Sequence, residues 1–195
     1  MTTTLGILLA GGRGERFGSP KALASFRGRS LLDRARAELA AACDQVVVVM
    51  PEGGGPPVDE RERVADAIAG AGPLSALVAG LESRLFARAM VLAVDLPLFD
   101  RAHVSRLLGS LGDDIAVVPA PGGRAQPLAA VYSARATAPL RAALDAGHRA
   151  LVAAVLALSP TLLDDARLAA LGISPEALED ADTPADLARL EALPS

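Results

Sequence analysis

Gly11-Gly12-Arg13-Gly14-Glu15-Arg16-Phe17-Gly18-Ser19-Pro20-Lys21 gathers four glycines and three cations into eleven residues, directly after the apolar run Leu5 to Ala10. Glycines let successive backbone N–H groups turn toward an anion, and the cations supply the charge that phosphates require. The segment therefore reads as a phosphate loop, the alternative being an ordinary glycine-rich turn with solvated arginines. Among 19 Lys and Arg residues, Lys21 is the one lysine. A compact ammonium at that place does a job that a guanidinium does less well. Two better-known loops do not fit. A P-loop needs G-x-x-x-x-G-K-[ST], whereas Gly18 is followed by Ser-Pro-Lys and Lys21 by Ala22. A dinucleotide fingerprint is imitated by Gly12, Gly14 and Gly18, but Pro20 breaks the helix that should receive the pyrophosphate. The ribose-binding acid is also missing after the second strand, where Met50-Pro51 stands. An NADP-binding Rossmann oxidoreductase is thus the minor reading.

Asp95 follows Met90-Val91-Leu92-Ala93-Val94 and precedes Leu96-Pro97. A carboxylate at such a strand end emerges on the ligand edge of a parallel sheet, where it can hold a hard cation such as Mg²⁺ together with substrate phosphates. Asp180 and Asp182 precede Thr183-Pro184 and either cap the last helix or join that metal site. His103 and His148 have no Ser or Cys partner in motif context and read as helix-end residues, and Cys43 reads as a small half-buried side chain.

These residues need a frame. Leu5 to Leu9, Gln45 to Met50 and Met90 to Val94 are apolar enough for buried strands; Ile115 to Pro119 and Leu128 to Tyr132 are two more. Between them lie helical patterns: Ser30, with Asp33 three residues on, begins one carrying Leu31, Leu32, Ala35 and Leu39 on one face. The spacing of Leu74, Leu77, Leu81 and Leu85 after Gly72-Pro73 predicts another, and Asp100 caps a third through Leu111. Further helices are expected over 136–146 and 149–158, and a last one after Thr183, with Pro184 first and Asp186 completing a capping box. Pro51 to Pro57 is a loop at a sheet edge. Strands and helices that alternate in this way imply an open α/β sheet with helices on both faces and ligands beyond the carboxyl strand ends.

At 195 residues the chain fits one domain, and 51% hydrophobic residues can build its core without cross-links. A net charge of -4 without a basic block argues against nucleic acid. One cysteine excludes an internal disulfide framework, and no stretch approaches the ~20 apolar residues of a membrane span. A cytoplasmic protein is expected.

Leu9-Ala10-Gly11-Gly12, Arg16-Phe17-Gly18 and Lys21-Ala22-Leu23 together resemble the signature L-A-G-G-x-S-x-R-M-G-x-D-K-A-L of nucleotidyltransferases, in particular the molybdenum cofactor guanylyltransferase family. Gly72 to Leu81 is similar to that family's G-P-L-A-G-x-x-A-G-L, Val94-Asp95-Leu96-Pro97 to its C-D-M-P, Gln126-Pro127-Leu128 with Tyr132 to H-P-V-x-x-L-Y, and Asp180 to Leu187 to N-x-N-T-P-x-D-L. The resemblance implies a single nucleotidyltransferase domain over residues 1–195, a Rossmann-like three-layer α/β/α fold with a mostly parallel sheet. It implies transfer of GMP from GTP to the phosphate of molybdopterin, with Mg²⁺ as cofactor and pyrophosphate as the second product. Its implied partners are GTP, molybdopterin or molybdenum cofactor, and other molybdenum cofactor proteins. Carried over by motif, Leu9, Ala10, Gly11 and Gly12 would meet the nucleotide, with Lys21 and Arg16 on its phosphates. Asp66 would contact GTP, Asp95 would bind nucleotide and metal, and Asp182 would join the metal. Arg124, in the Gly-Gly-Arg turn near Gln126, is a candidate contact for the acceptor's phosphate. Pro20, Phe17, Ser75-Ala76, Gln126, Asp180 and Asp182 depart from the family's motifs, and Ser19-Pro20-Lys21 with Asp-Ala-Asp-Thr-Pro is similar to cytidylyltransferases. A cytidylyltransferase acting on molybdopterin or another phosphorylated acceptor is therefore the alternative.

Overall fold

Alternation along the first strand sets the architecture: Leu5, Ile7 and Leu9 pack on one side of the sheet and Leu8 on the other, all buried. The computed structural model describes residues 3–11, 20–66 and 72–193. Gly12 and Arg16 lie outside the described residues. In chain order the strands are β1 (Thr4–Leu9), β2 (Ser25–Phe26), β3 (Arg29–Ser30), β4 (Gln45–Pro51), β5 (Arg63–Asp66), β6 (Arg88–Ala93), β7 (Ala116–Pro119), β8 (Ala129–Ser133) and β9 (Thr161–Leu163). The helices are α1 (Leu31–Ala40), α2 (Pro73–Glu82), α3 (Arg101–Ser110), α4 (Thr137–Asp145), α5 (Leu151–Leu156), α6 (Asp165–Ala170) and α7 (Pro184–Glu191).

Seven strands form one sheet in the order β5-β4-β1-β6-β8-β7-β9, and β2 with β3 makes a separate hairpin. β8 runs antiparallel to both neighbours while every other pairing in the sheet is parallel. The expected mostly parallel α/β sheet is thus what forms. Its two faces carry separate cores. Helices α1, α3 and α7 cover one face through Leu31, Leu39, Val104, Leu107, Leu187 and Leu190. Helices α2, α4 and α5 cover the other through Leu74, Leu77, Leu81, Leu140, Leu144 and Val155. Two glycines permit this close layering. A Cβ on Gly80 of α2 would fall 2.5 Å from Ile7 Cγ2, and one on Gly6 would fall 3.1 Å from Leu39 Cβ. Among the described residues no helix is long and apolar enough to cross a membrane.

Several boundaries differ from the sequence expectation. Helix α2 ends at Glu82, so Leu85 leaves the apolar stripe and is 94% exposed. Helix α5 is shorter than the 149–158 pattern. The start of α1 is not a full capping box: the Ser30 hydroxyl accepts from Asp33 N at 3.0 Å, but the Asp33 carboxylate takes the Ser30 hydroxyl at 2.6 Å. Strands β5 and β9 and helix α6 are additions that the sequence pattern did not reveal.

Candidate active site

The carboxyl ends of β1, β4, β5 and β6 lie side by side, because Leu9 is in register with Val49 and Ala93, and Pro51 with Asp66. That edge carries most of the residues singled out by type. Leu9 and Ala10 are buried there; the Ala10 N–H donates to Val49 O at 2.9 Å and Leu9 O accepts from Val94 N at 3.1 Å. Gly11 is exposed beyond them. Asp66 closes β5, where the hydroxyl of buried Ser75 on α2 donates to its Oδ1. The sequence shows Ser75 only as a departure from the motif and gives it no role, since nothing in G-P-L-S-A marks a hydroxyl as turned toward a strand 9 residues earlier.

Lys21 opens a short 3-10 turn, Lys21–Leu23. Pro20 enters it with φ fixed at -53°, and Ala22 anchors it in the core. The Lys21 ammonium donates to Asp95 Oδ2 at 2.8 Å and to Asp182 Oδ1 at 2.8 Å. The side chains are 14% exposed for Lys21, 26% for Asp95 and 52% for Asp182, so the cluster opens outward on the Asp182 side. Burial is the largest influence on the amine and works to lower its pKa. The hydrogen bonds it donates to Asp182 and Asp95, and their charges, more than offset it, and the pKa lies above the ordinary 10.5. Lys21 is therefore a fixed cation at neutral pH, not a base.

Local structure brings the two acids to it from two elements. Asp95 leaves β6 into a turn held by buried Leu96 and Phe99, and Arg34 of α1 donates from Nε to Pro97 O at 2.5 Å. Asp182 precedes Thr183, whose hydroxyl accepts from Asp186 N at 3.1 Å while Asp186 takes the Thr183 N–H at 2.8 Å, the capping box that starts α7. Ala181, fully buried, donates its N–H to the Asp95 carbonyl at 2.9 Å and pins the Asp182 segment to the end of β6.

Beside this cluster lies a cavity of about 450 Å³. Asp95, Ala93 and Leu96 border it on the β6 side, Arg124, Gln126 and Leu128 on the β7–β8 connection, and Leu178, Glu179 and Asp180 on the segment before α7. Arg124 is the one cation lining it among the described residues. Tyr132 does not face the cavity: it is fully buried and donates its hydroxyl to Pro127 O at 2.7 Å, bracing the turn that presents Gln126.

The remaining candidates are structural. His103 accepts the Asp100 N–H on Nδ1 at 3.2 Å as part of the α3 capping box. Cys43 is half-buried, and desolvation pushes its thiol up to about 12, so it is not a nucleophile.

The donor set is suited to a hard cation. Each carboxylate of the pair gives one oxygen to Lys21, and its other oxygen, Asp95 Oδ1 or Asp182 Oδ2, has no hydrogen bond to another described residue. No cluster of three metal-binding side chains occurs among the described residues. Mg²⁺ accepts one or two carboxylates and completes its shell with phosphates and water, so it is a cation such a pair could hold.

Comparison with known proteins places the chain in a family. Residues 6–160 match the MobA-like NTP transferase domain. A protein of Chloroflexus aggregans named "Probable molybdenum cofactor guanylyltransferase" is 38% identical over 161 residues, covering 78% of this chain and 76% of its own. One of the same name from Bacillus cereus is 32% identical over 158 residues, covering 78% and 79%. Among solved structures, molybdopterin-guanine dinucleotide biosynthesis protein A of Archaeoglobus fulgidus superposes with TM-score 0.77 at 23% identity, covering 96% of both chains. 2-C-methyl-D-erythritol 4-phosphate cytidylyltransferase of Thermus thermophilus superposes with TM-score 0.71 at 24% identity, covering 98% of both. Those two likenesses show the fold. With the strand-end cluster, the match across most of the length and relatives above 30% identity, the chain belongs to the MobA-like NTP transferase family.

Proposed function

We propose that this protein transfers GMP from GTP to the terminal phosphate of molybdopterin or molybdenum cofactor, releasing pyrophosphate. The observation that carries the reading is the convergence of Lys21, Asp95 and Asp182 at the carboxyl edge of the sheet, beside a cavity large enough for a second substrate. The guanylyl reading is favoured by the names of the relatives at 38% and 32% identity. The likeness to the solved cytidylyltransferase, at 24% identity, is one of fold.

The acceptor phosphate is already an anion, so its attack on the α-phosphorus needs neither a protein nucleophile nor a strong base. One P–O bond forms to the acceptor as the bond to pyrophosphate breaks. What the protein must do is align two polyanions and neutralise their charge. Lys21 would steady the departing pyrophosphate, with Arg16 of the same loop beside it in sequence. Leu9, Ala10, Gly11 and Gly12 would line the nucleotide, and Asp66 would contact it from the end of β5. Arg124 would hold the acceptor's phosphate at the cavity. Asp95 and Asp182 would hold Mg²⁺ by the oxygens that do not meet Lys21. That ion, when bound, would neutralise nucleotide phosphate oxygens. Other molybdenum cofactor proteins are the partners expected to deliver the acceptor or remove the product. Titration with GTP and CTP, with and without Mg²⁺, tests the reading: GTP must bind more tightly, and more so with the metal.

A further inference from the structure

The far wall of the cavity, Pro175 to Asp180, has no sheet hydrogen bonds to hold it. Its direct side-chain tie to the opposite wall is Gln126, whose Nε2 donates to Leu178 O at 3.1 Å across 52 residues of sequence. Gln126 is itself rigidly presented. Its N–H donates to Pro119 O at 2.8 Å, its carbonyl accepts from Ala129 N at 3.1 Å, and the next residue's carbonyl takes the buried Tyr132 hydroxyl. On the other side of the tie, Leu178 is buried, Ala181 three residues later is bonded to the Asp95 carbonyl, and Asp182 reaches Lys21. Gln126 and Leu178 therefore form the first link of a chain of contacts that ends at the cation. The tie lies on the cavity side of Asp95, away from the nucleotide edge formed by β1, β4 and β5.

We propose that Gln126 is a positioning residue for the acceptor: its amide N–H fixes the width of the cavity by holding the Leu178–Asp182 segment, and it does not touch the transferred nucleotide. The proposal rests on the guanylyl-transfer reading for its substrate, but the tie itself is measurable without turnover. Gln126→Glu keeps the shape, removes the donor and sets a carboxylate oxygen against the Leu178 carbonyl. Gln126→His keeps a ring N–H of similar reach. Loss of a net hydrogen bond predicts at least about a threefold rise in KM for molybdopterin in Gln126→Glu, with KM for GTP within about twofold of the parent. Gln126→His should restore the acceptor KM. Hydrogen exchange at residues 178–182 should quicken in Gln126→Glu and return toward the parent rate in Gln126→His. A raised acceptor KM with unchanged exchange would mean that Gln126 contacts the acceptor itself, and would overturn the proposal. Unchanged KM and unchanged exchange would overturn it as well. If the parent protein shows no GTP turnover while exchange responds as stated, it is the guanylyl reading that fails and the tie that stands.

Discussion

Lys21 and Asp95, 74 residues apart in sequence, meet at 2.8 Å where the Lys21–Leu23 turn lies beside the end of β6. The same ammonium holds Asp182, so a single cation organises two carboxylates that would otherwise repel each other. Removing one such electrostatic element costs about 10²–10³ in turnover. Asp95→Ala and Lys21→Ala should each lower kcat by at least roughly that factor. Both variants should keep the circular dichroism of the parent, because the three side chains sit at the rim of the core. Near-normal turnover of Asp95→Ala at saturating Mg²⁺ would remove the metal assignment.

Arg124 is exposed and, alone among the cavity-lining side chains described, positively charged. A hydrogen bond to a charged group contributes about 1.5–3 kcal/mol. Arg124→Ala should therefore raise Kd for molybdopterin by about tenfold or more and leave GTP affinity unchanged, which isothermal titration with each substrate separately would read.

The sheet–helix layer makes a stability prediction. Because a methyl on Gly80 would fall 2.5 Å from Ile7 Cγ2 and 3.2 Å from Val49 Cγ2, Gly80→Ala overpacks the interface of α2 with β1 and β4. A destabilisation of about 1–3 kcal/mol is expected from urea unfolding, despite the better helix propensity of alanine. An unchanged midpoint would show that α2 can shift without cost.

His103 supplies a pH signature away from the site. Burial holds its pKa below the ordinary 6.5, the Arg106 charge works in the same direction, and Asp100 and Glu38 work against them. The unfolded chain binds the proton more readily, so this contribution to stability is complete above about pH 6.5 and declines as the pH falls through and below that value. The neutral ring is also the form that accepts the Asp100 N–H. The parent should lose more stability between pH 8 and pH 5 than His103→Gln, measured by urea midpoints. Equal losses would contradict the assignment.

Much of this arrangement was legible in the residues themselves. Valine-rich β4 and the apolar runs of β1 and β6 are long enough to declare buried strands, and an aspartate at the end of one of them marks the ligand edge. Lys21 stood out because every other cation is arginine. Other features left no local trace. β5 spans Arg63–Asp66 and shows no period, since it is an edge strand defined only by its pairing with β4. β9 has three residues, too few for any alternation to register. Leu85 continued the heptad-like spacing of α2 only by coincidence, because the helix had already ended. Contacts such as Gln126 with Leu178 and Ser75 with Asp66 depend on how distant segments fold back, so neither could be read before the topology was known.

Pyrophosphate release by purified protein, supplied with molybdopterin, Mg²⁺ and either GTP or CTP, puts the whole account to a single assay. GTP should yield pyrophosphate and a guanine dinucleotide product at a rate that collapses in Lys21→Ala. Release from CTP in preference to GTP, or a rate indifferent to the loss of Lys21, would contradict it.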